Sequence, residues 1–241
     1  FCSYFIIGIN IYKDYGISID EPFHRTSGFY WYLHIIDNFF YNFPNIEHLR
    51  NSYNKMEWSQ DFTQGVFLEY GVFFDLFATF IENILNLKNS YDIYHLKHFL
   101  NFFVFYISSV VFFYLIKNRF KSNILGFIAV LFYISSPRIF AESFYNCKDI
   151  IFMSFIVFSL FFGLKILKNF KIKNIILFAL FSALATSIRS MGVFTVLLVL
   201  SFLIIENLEQ KKNPGKKNIY ILLIFFLYLF FTYLFWPYLW L

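Results

Sequence analysis

Four groups of polar residues interrupt a chain otherwise built of apolar blocks. The first is Asp20-Glu21-Pro22-Phe23-His24-Arg25. Pro22 biases Glu21 towards an extended conformation and suits the first positions of a helix. A helix is therefore predicted over 22–40, rich in Phe, Tyr and Trp and lying on a membrane surface. Asp20 and Glu21 fall at its N-terminus, where the helix dipole favours an ionised carboxylate. A carboxylate held there is what a general base needs to deprotonate an acceptor beside a lipid-borne donor. Plain helix capping is the alternative.

The second group runs from Ser136-Pro137-Arg138 to Tyr145-Asn146-Cys147-Lys148-Asp149. A loop between two membrane helices needs little more than a turn, so this density of polar side chains asks for a reason. Arg138 and Lys148 suit a phosphate, and Asp149 could orient one of them; snorkelling and a helix cap are the alternative. The third is Arg189, the sole charge between 174 and 205. An ionisable residue at membrane depth is a functional hypothesis by default, against which stands an Arg simply reaching the headgroups. The fourth is Asp92, His95 and His98. His95 and His98 are three apart and share a helix face, and together with His24 they could bind a divalent metal. Ordinary interfacial histidines are the alternative.

The elements that must carry these groups follow from composition. Of 241 residues, 59% are hydrophobic and 15% charged, well under the roughly 25% charged of a soluble chain. That excludes a disordered chain, a disulfide-stapled module and a soluble enzyme, and points to an integral membrane protein. Helical spans are expected at roughly 96–116, 123–137, 150–167 and 219–236, with residues 1–12 as the end of another. The segment 66–87 carries Glu69, Asp75 and Glu82, which lipid would penalise heavily; it reads as a helix lying in the interface. The segment 174–205 is too long for one crossing, and Arg189-Ser190-Met191-Gly192 breaks it into half-helices at 174–188 and 191–205.

Charge sidedness supports that break. With it, the loops 117–122, 165–173 and 206–218 share one side and hold eleven Lys/Arg and two acids. The other side holds the loop 13–95, the loop 138–149 and the Arg189 turn, with thirteen of the fifteen acids and four of the five His, the fifth, His98, standing at the outer end of the next span. The positive-inside rule puts the basic loops in the cytoplasm and the long acidic loop outside. The expected architecture is all-α: a polytopic transmembrane helical bundle whose long external first loop carries interfacial helices. It forms a single domain over 1–241, incomplete at both ends. Asn213-Pro214-Gly215 reads as a cytoplasmic turn. Cys2 and Cys147 are too few for a disulfide framework. The basic residues set orientation, so nucleic-acid binding is rejected; glycine-rich phosphate loops and Gly-x-Ser-x-Gly elbows are absent from the sequence.

These residues suggest a family. The opening Ile19-Asp20-Glu21-Pro22-Phe23-His24 resembles the Asp-Glu motif of protein O-mannosyltransferases. Ser-Pro-Arg-Ile-Phe…Phe-Tyr-Asn-Cys-Lys-Asp-Ile after the third span, and Ala-Thr-Ser-Ile-Arg-Ser-Met-Gly at the half-helix pair, extend the likeness. Together they look like the N-terminal half of a GT-C superfamily membrane glycosyltransferase, of the protein mannosyltransferase or lipid A aminoarabinose transferase type. The resemblance implies a sugar donor on a polyprenyl phosphate and a lipid, glycan or protein acceptor. It implies a site on the non-cytoplasmic face of a multi-pass membrane protein in a bacterial inner membrane or its equivalent. Asp20 matches the motif's aspartate, the base, and Glu21 its partner. Lys148 and Asp149 match the polar motif near the donor phosphate, and Arg189 matches the half-helix turn. The reaction implied is inverting, with the cations stabilising the departing phosphate. Some relatives use a divalent metal at this face, for which His95 and His98 are the ligands to consider.

Two other readings compete. In a non-catalytic transporter or channel subunit, Arg189 and the broken helix would line a substrate path; there Arg189 matters and Asp20 does not. In a structural envelope protein neither matters.

Overall fold

The computed structural model describes residues 1–40, 46–209 and 214–241. Residues 41–45 of the long first loop and 210–213 of the expected basic turn, including Asn213, lie outside them. Twelve helices and no strand are present among the described residues: α1 Cys2–Ile11, α2 Glu21–Phe39, α3 Ile46–Asn54, α4 Ser59–Thr63, α5 Phe73–Ile84, α6 Ser90–Phe120, α7 Asn123–Ser135, α8 Pro137–Tyr145, α9 Asp149–Lys168, α10 Ile172–Ile188, α11 Val193–Glu209 and α12 Pro214–Phe235. The all-α polytopic bundle is thus what the chain forms. Four helical stretches are long and apolar enough to cross a membrane: Ser90–Phe120, Asp149–Lys168, Ser190–Leu208 and Lys217–Phe235. The bent pair α7–α8 makes a fifth if counted as one span.

Local signals set these boundaries. Asn89 caps α6 by accepting from the Tyr91 amide, and Lys121 closes it in the left-handed conformation with Lys117 and Arg119 in the last turn. Ser122 accepts from the Leu125 amide to open α7. The span expected over 123–137 stops sooner, because Pro137 holds Ser136 extended, and the chain turns by 67° into α8. What reads as a loop over 138–149 is therefore mostly helix. The expected break in 174–205 is present: Arg189 is extended and Ser190–Gly192 form a single 3-10 turn between α10 and α11. Each of those helices has 17 residues, the lower limit for a crossing, so they are more than halves.

The bundle core is α9, α10, α11 and α12, with Ile166, Ile175, Phe178, Ala179, Ala183, Val199, Leu203 and Ile224 at its centre. Lipid supplies no hydrophobic drive between helices, so close contact depends on small residues and interhelical hydrogen bonds. Gly163 of α9 lies against Phe178 and Val199, Ser159 and Ser182 share a hydrogen bond of 2.6 Å, and Thr186 meets the Tyr228 hydroxyl at 3.0 Å. These levels require α10 to run opposite to α9 and α11 and alongside α12. The lysines of 165–173 and of 117–121 consequently gather at one end of the bundle, and α2–α5, α8 and the Arg189 break at the other.

At that second end α2 is no free surface helix. Phe29, Tyr32, Leu33 and Ile36 pack on Leu49 and Tyr53, and Trp31 and Phe62 are fully enclosed. Gly28 sits so close to α5 that a methyl there would overlap the Asp75 carbonyl. The segment 66–87 is helical only from Phe73 to Ile84. As expected it does not cross, yet Asp75 and Glu82 face inward and are buried.

Candidate functional site

Asp20 is the N-cap residue of α2, but its side chain makes no cap hydrogen bond, and it is exposed. Capping therefore does not account for the carboxylate. Glu21 is 1% exposed. It accepts from the Ser18 amide at 2.6 Å and faces Nε2 of His98 at 2.9 Å. The turn carrying Asp20 is thus pinned to α6 through its neighbour.

One helical turn further along α2, His24 Nδ1 lies 3.3 Å from Asp75 Oδ2, and Lys97 Nζ lies 3.2 Å from Asp75 Oδ1. Burial works to raise the Asp75 carboxyl, but Lys97 and His24 together outweigh it and hold it below the usual carboxylate range. Arg25 meets Glu82 in a two-pronged ion pair. These pairs bind α2 to α5 and α5 to α6. The Arg25–Glu82 pair borders a cavity of about 800 Å³ with Tyr32, Ser52 and Lys88 also in its wall.

A second polar centre forms where α9 starts and α10 ends. Asn146 Oδ1 accepts from the Lys148 and Asp149 amides, which fixes the α9 N-terminus. Asp149 forms an ion pair with Arg189, across 40 residues of sequence. Lys148 Nζ stands 4.2 Å over the Tyr70 ring, where burial and then the nearby Arg189 guanidinium lower its pKa. Lys148, Arg189, Glu69, Tyr70, Ser190 and Trp236 enclose a cavity of about 390 Å³. The Trp236 Nε1–H is buried there without a protein acceptor. A lysine and an arginine in the wall of one cavity make a site for an anion, with Glu69 the one acid that shares the wall. Beside it lies an apolar groove of about 430 Å³, walled by Ile36, Phe73, Phe77, Leu234, Phe235 and Pro237.

The sequence-derived candidates divide accordingly. Lys148, Asp149 and Arg189 come together. Arg138 does not join them: its guanidinium is turned onto Glu142 of its own helix at 2.7 Å. His95 and His98 share the α6 face, but their rings are 6.3 Å apart. His98 is engaged by Glu21, and His95 packs against Tyr91. The described residues that converge as metal donors are instead His24, Asp75 and Cys147. Tyr70, Lys97 and Trp236 went unread in the sequence, and Asp75 was read only as an acid of an interfacial helix. The one available signal was the cost of leaving Asp75 and Lys97 unpaired in apolar surroundings.

Comparison with known proteins gives one result. The family model described as dolichyl-phosphate-mannose-protein mannosyltransferase matches residues 96–236. That stretch is more than half of the chain and includes Lys148, Asp149 and Arg189, while Asp20 and Glu21 precede it. Neither a curated protein nor a solved structure matches. An all-α chain with several membrane-crossing helices, matched from α6 through α12, belongs to the dolichyl-phosphate-mannose-protein mannosyltransferase family of GT-C membrane glycosyltransferases.

Proposed function

We propose that the chain transfers a sugar from a polyprenyl-phosphate donor to an acceptor on the non-cytoplasmic face, with the donor phosphate held by Lys148 and Arg189. The observation that carries this is the cavity whose wall holds both cations, with Trp236 beside them. It adjoins the apolar groove through the consecutive residues Phe235, Trp236 and Pro237. Phosphate in the first and prenyl chain in the second is the arrangement that an amphipathic donor requires. The end of the bundle opposite the basic loops supports the non-cytoplasmic face.

In the step itself, Asp20 takes the proton of the acceptor hydroxyl or amine as that atom attacks the anomeric carbon. The bond from that carbon to the phosphate oxygen breaks, and its electron pair leaves on polyprenyl phosphate. Attack opposite the leaving group inverts the anomeric configuration. Lys148 and Arg189 meet the charge developing on the phosphate, with Asp149 orienting Arg189. Glu21 works through His98 and the Ser18 amide, holding the turn that presents Asp20.

The test is a split of kinetic constants in full-length protein. Lys148→Gln should raise the KM for donor about 10-fold or more, as loss of a charge-assisted hydrogen bond does. Lys148→Arg should restore most of it. An unchanged donor KM in Lys148→Gln would remove the phosphate assignment.

A further inference from the structure

His24, Asp75 and Cys147 come from three separated parts of the chain: α2, α5 and the turn into α9. A ring nitrogen, a carboxylate oxygen and a thiol sulfur from them all lie within 4.8 Å of one another. The three residues are 9%, 4% and 4% exposed, so this is an enclosed cluster and no patch of surface acids. Donor atoms around a tetrahedral zinc, bonded at about 2.0–2.3 Å, stand roughly 3.3–3.8 Å apart. The His24 Nδ1 to Asp75 Oδ2 distance of 3.3 Å is already in that range.

The donor set selects the metal. Magnesium and calcium want oxygen ligands, whereas imidazole, thiolate and one carboxylate suit zinc. A thiolate and a carboxylate match the charge of a dication and imidazole binds neutral; the Lys97 ammonium on the same carboxylate is then an extra positive charge, with the buried Glu21 carboxylate nearby to offset it. Lys97 is compatible with this, because its ammonium touches Oδ1 of Asp75 and leaves Oδ2 to the cluster. A ligating carboxylate whose second oxygen is hydrogen-bonded is the usual support for a metal ligand.

We propose that His24, Asp75 and Cys147 bind one zinc ion that fastens α2 and α5 to the entry of α9. Binding displaces the thiol proton to solvent and forms three zinc–protein bonds, with no change of oxidation state. The fastener acts at a distance on both polar centres. His24 is four residues from Asp20, and Cys147 precedes Lys148. None of this depends on which group is the base or which donor is used.

The experiment uses full-length protein without a polyhistidine tag, purified in detergent without chelator. Elemental analysis should find one equivalent of zinc per chain. Protein stripped with chelator and reloaded with Co²⁺ should show a thiolate-to-cobalt charge-transfer band in the near ultraviolet. Zinc restored at about 100 times its Kd should raise Tm by roughly 5–10 °C. Cys147→Ser, which keeps a hydrogen-bonding group beside Asp75, should lose the metal. Wild-type protein with zinc at buffer background, no cobalt–thiolate band and no response of Tm to chelator would overturn the proposal, leaving Lys97 as the cluster's cation. Stoichiometric zinc retained in both Cys147→Ser and His24→Gln would overturn it too, by locating the ion elsewhere. The cobalt spectrum of the wild type decides the matter even if a variant fails to fold.

Discussion

Lys148 shows how a single side chain is tuned by what surrounds it. Burial and the Arg189 guanidinium lower its pKa from the ordinary 10.5. In the fold its ammonium therefore loses its proton earlier than in the unfolded chain. Below the lowered value the buried charge weakens the fold, and that penalty disappears as pH rises towards 10.5. Anion binding has the opposite dependence, because it needs the ammonium. The alkaline limb of kcat/KM for donor should accordingly fall at a pH below 10.5 and move upward in Lys148→Arg; a limb that stays in place would separate it from Lys148. Arg25 and Glu82 pose a different residue-scale problem. Their side chains are 17% and 5% exposed, so removing one partner leaves a largely buried charge. Arg25→Met should destabilise by about 3–5 kcal/mol, and Arg25→Met with Glu82→Gln should recover much of that. Thermal melts of the two singles and the double measure it, and additive losses would mean that the pair is not coupled.

At the scale of elements, two close approaches shape the anion cavity. A methyl on Gly71 would overlap the Ser187 carbonyl, and one on Gly192 would overlap the α10 backbone at Thr186. The first brings the chain entering α5, with Tyr70, against the end of α10. The second folds the Arg189 turn back on α10. Gly71→Ala should therefore cost about 1–3 kcal/mol and raise the donor KM through displacement of Tyr70 and Lys148. A variant with wild-type Tm and KM would show that the contact is slack. The α10–α11 break was legible from Arg189-Ser190-Met191-Gly192, since the sole charge and sole glycine of a mostly apolar stretch of 32 residues leave few alternatives. The inward face of α5 was not. Its acids read as the solvent side of an interfacial helix, because Arg25 is 57 residues from Glu82 and Lys97 is 22 from Asp75. Helix periodicity is blind to pairs that only the tertiary fold brings together. Asp149 was expected to orient Arg138 or Lys148; it pairs instead with Arg189, in the break that follows α10.

For the whole molecule, apolar blocks and charge sidedness predicted the course of the chain well because lipid admits few choices: spans must be helical and their lysines stay on one side. The polar end was less legible because its helices are held by buried pairs and aromatic contacts between distant segments. The topology makes an accessibility prediction. In a Cys2→Ser background, Arg138→Cys should react with a membrane-impermeant maleimide added to intact cells, while Lys121→Cys should react only after permeabilisation. The reverse pattern would put the polar end in the cytoplasm and exclude an external site. Chemistry at that end is tested most directly by transfer from radiolabelled polyprenyl-phosphate sugars, comparing wild-type full-length protein with Asp20→Asn in membranes. Removing a general base should slow transfer about 10²–10⁴-fold with Tm and donor affinity unchanged. Transfer that persists at the wild-type rate in Asp20→Asn would contradict the assigned base, and no transfer from any donor by the wild type would contradict the account as a whole.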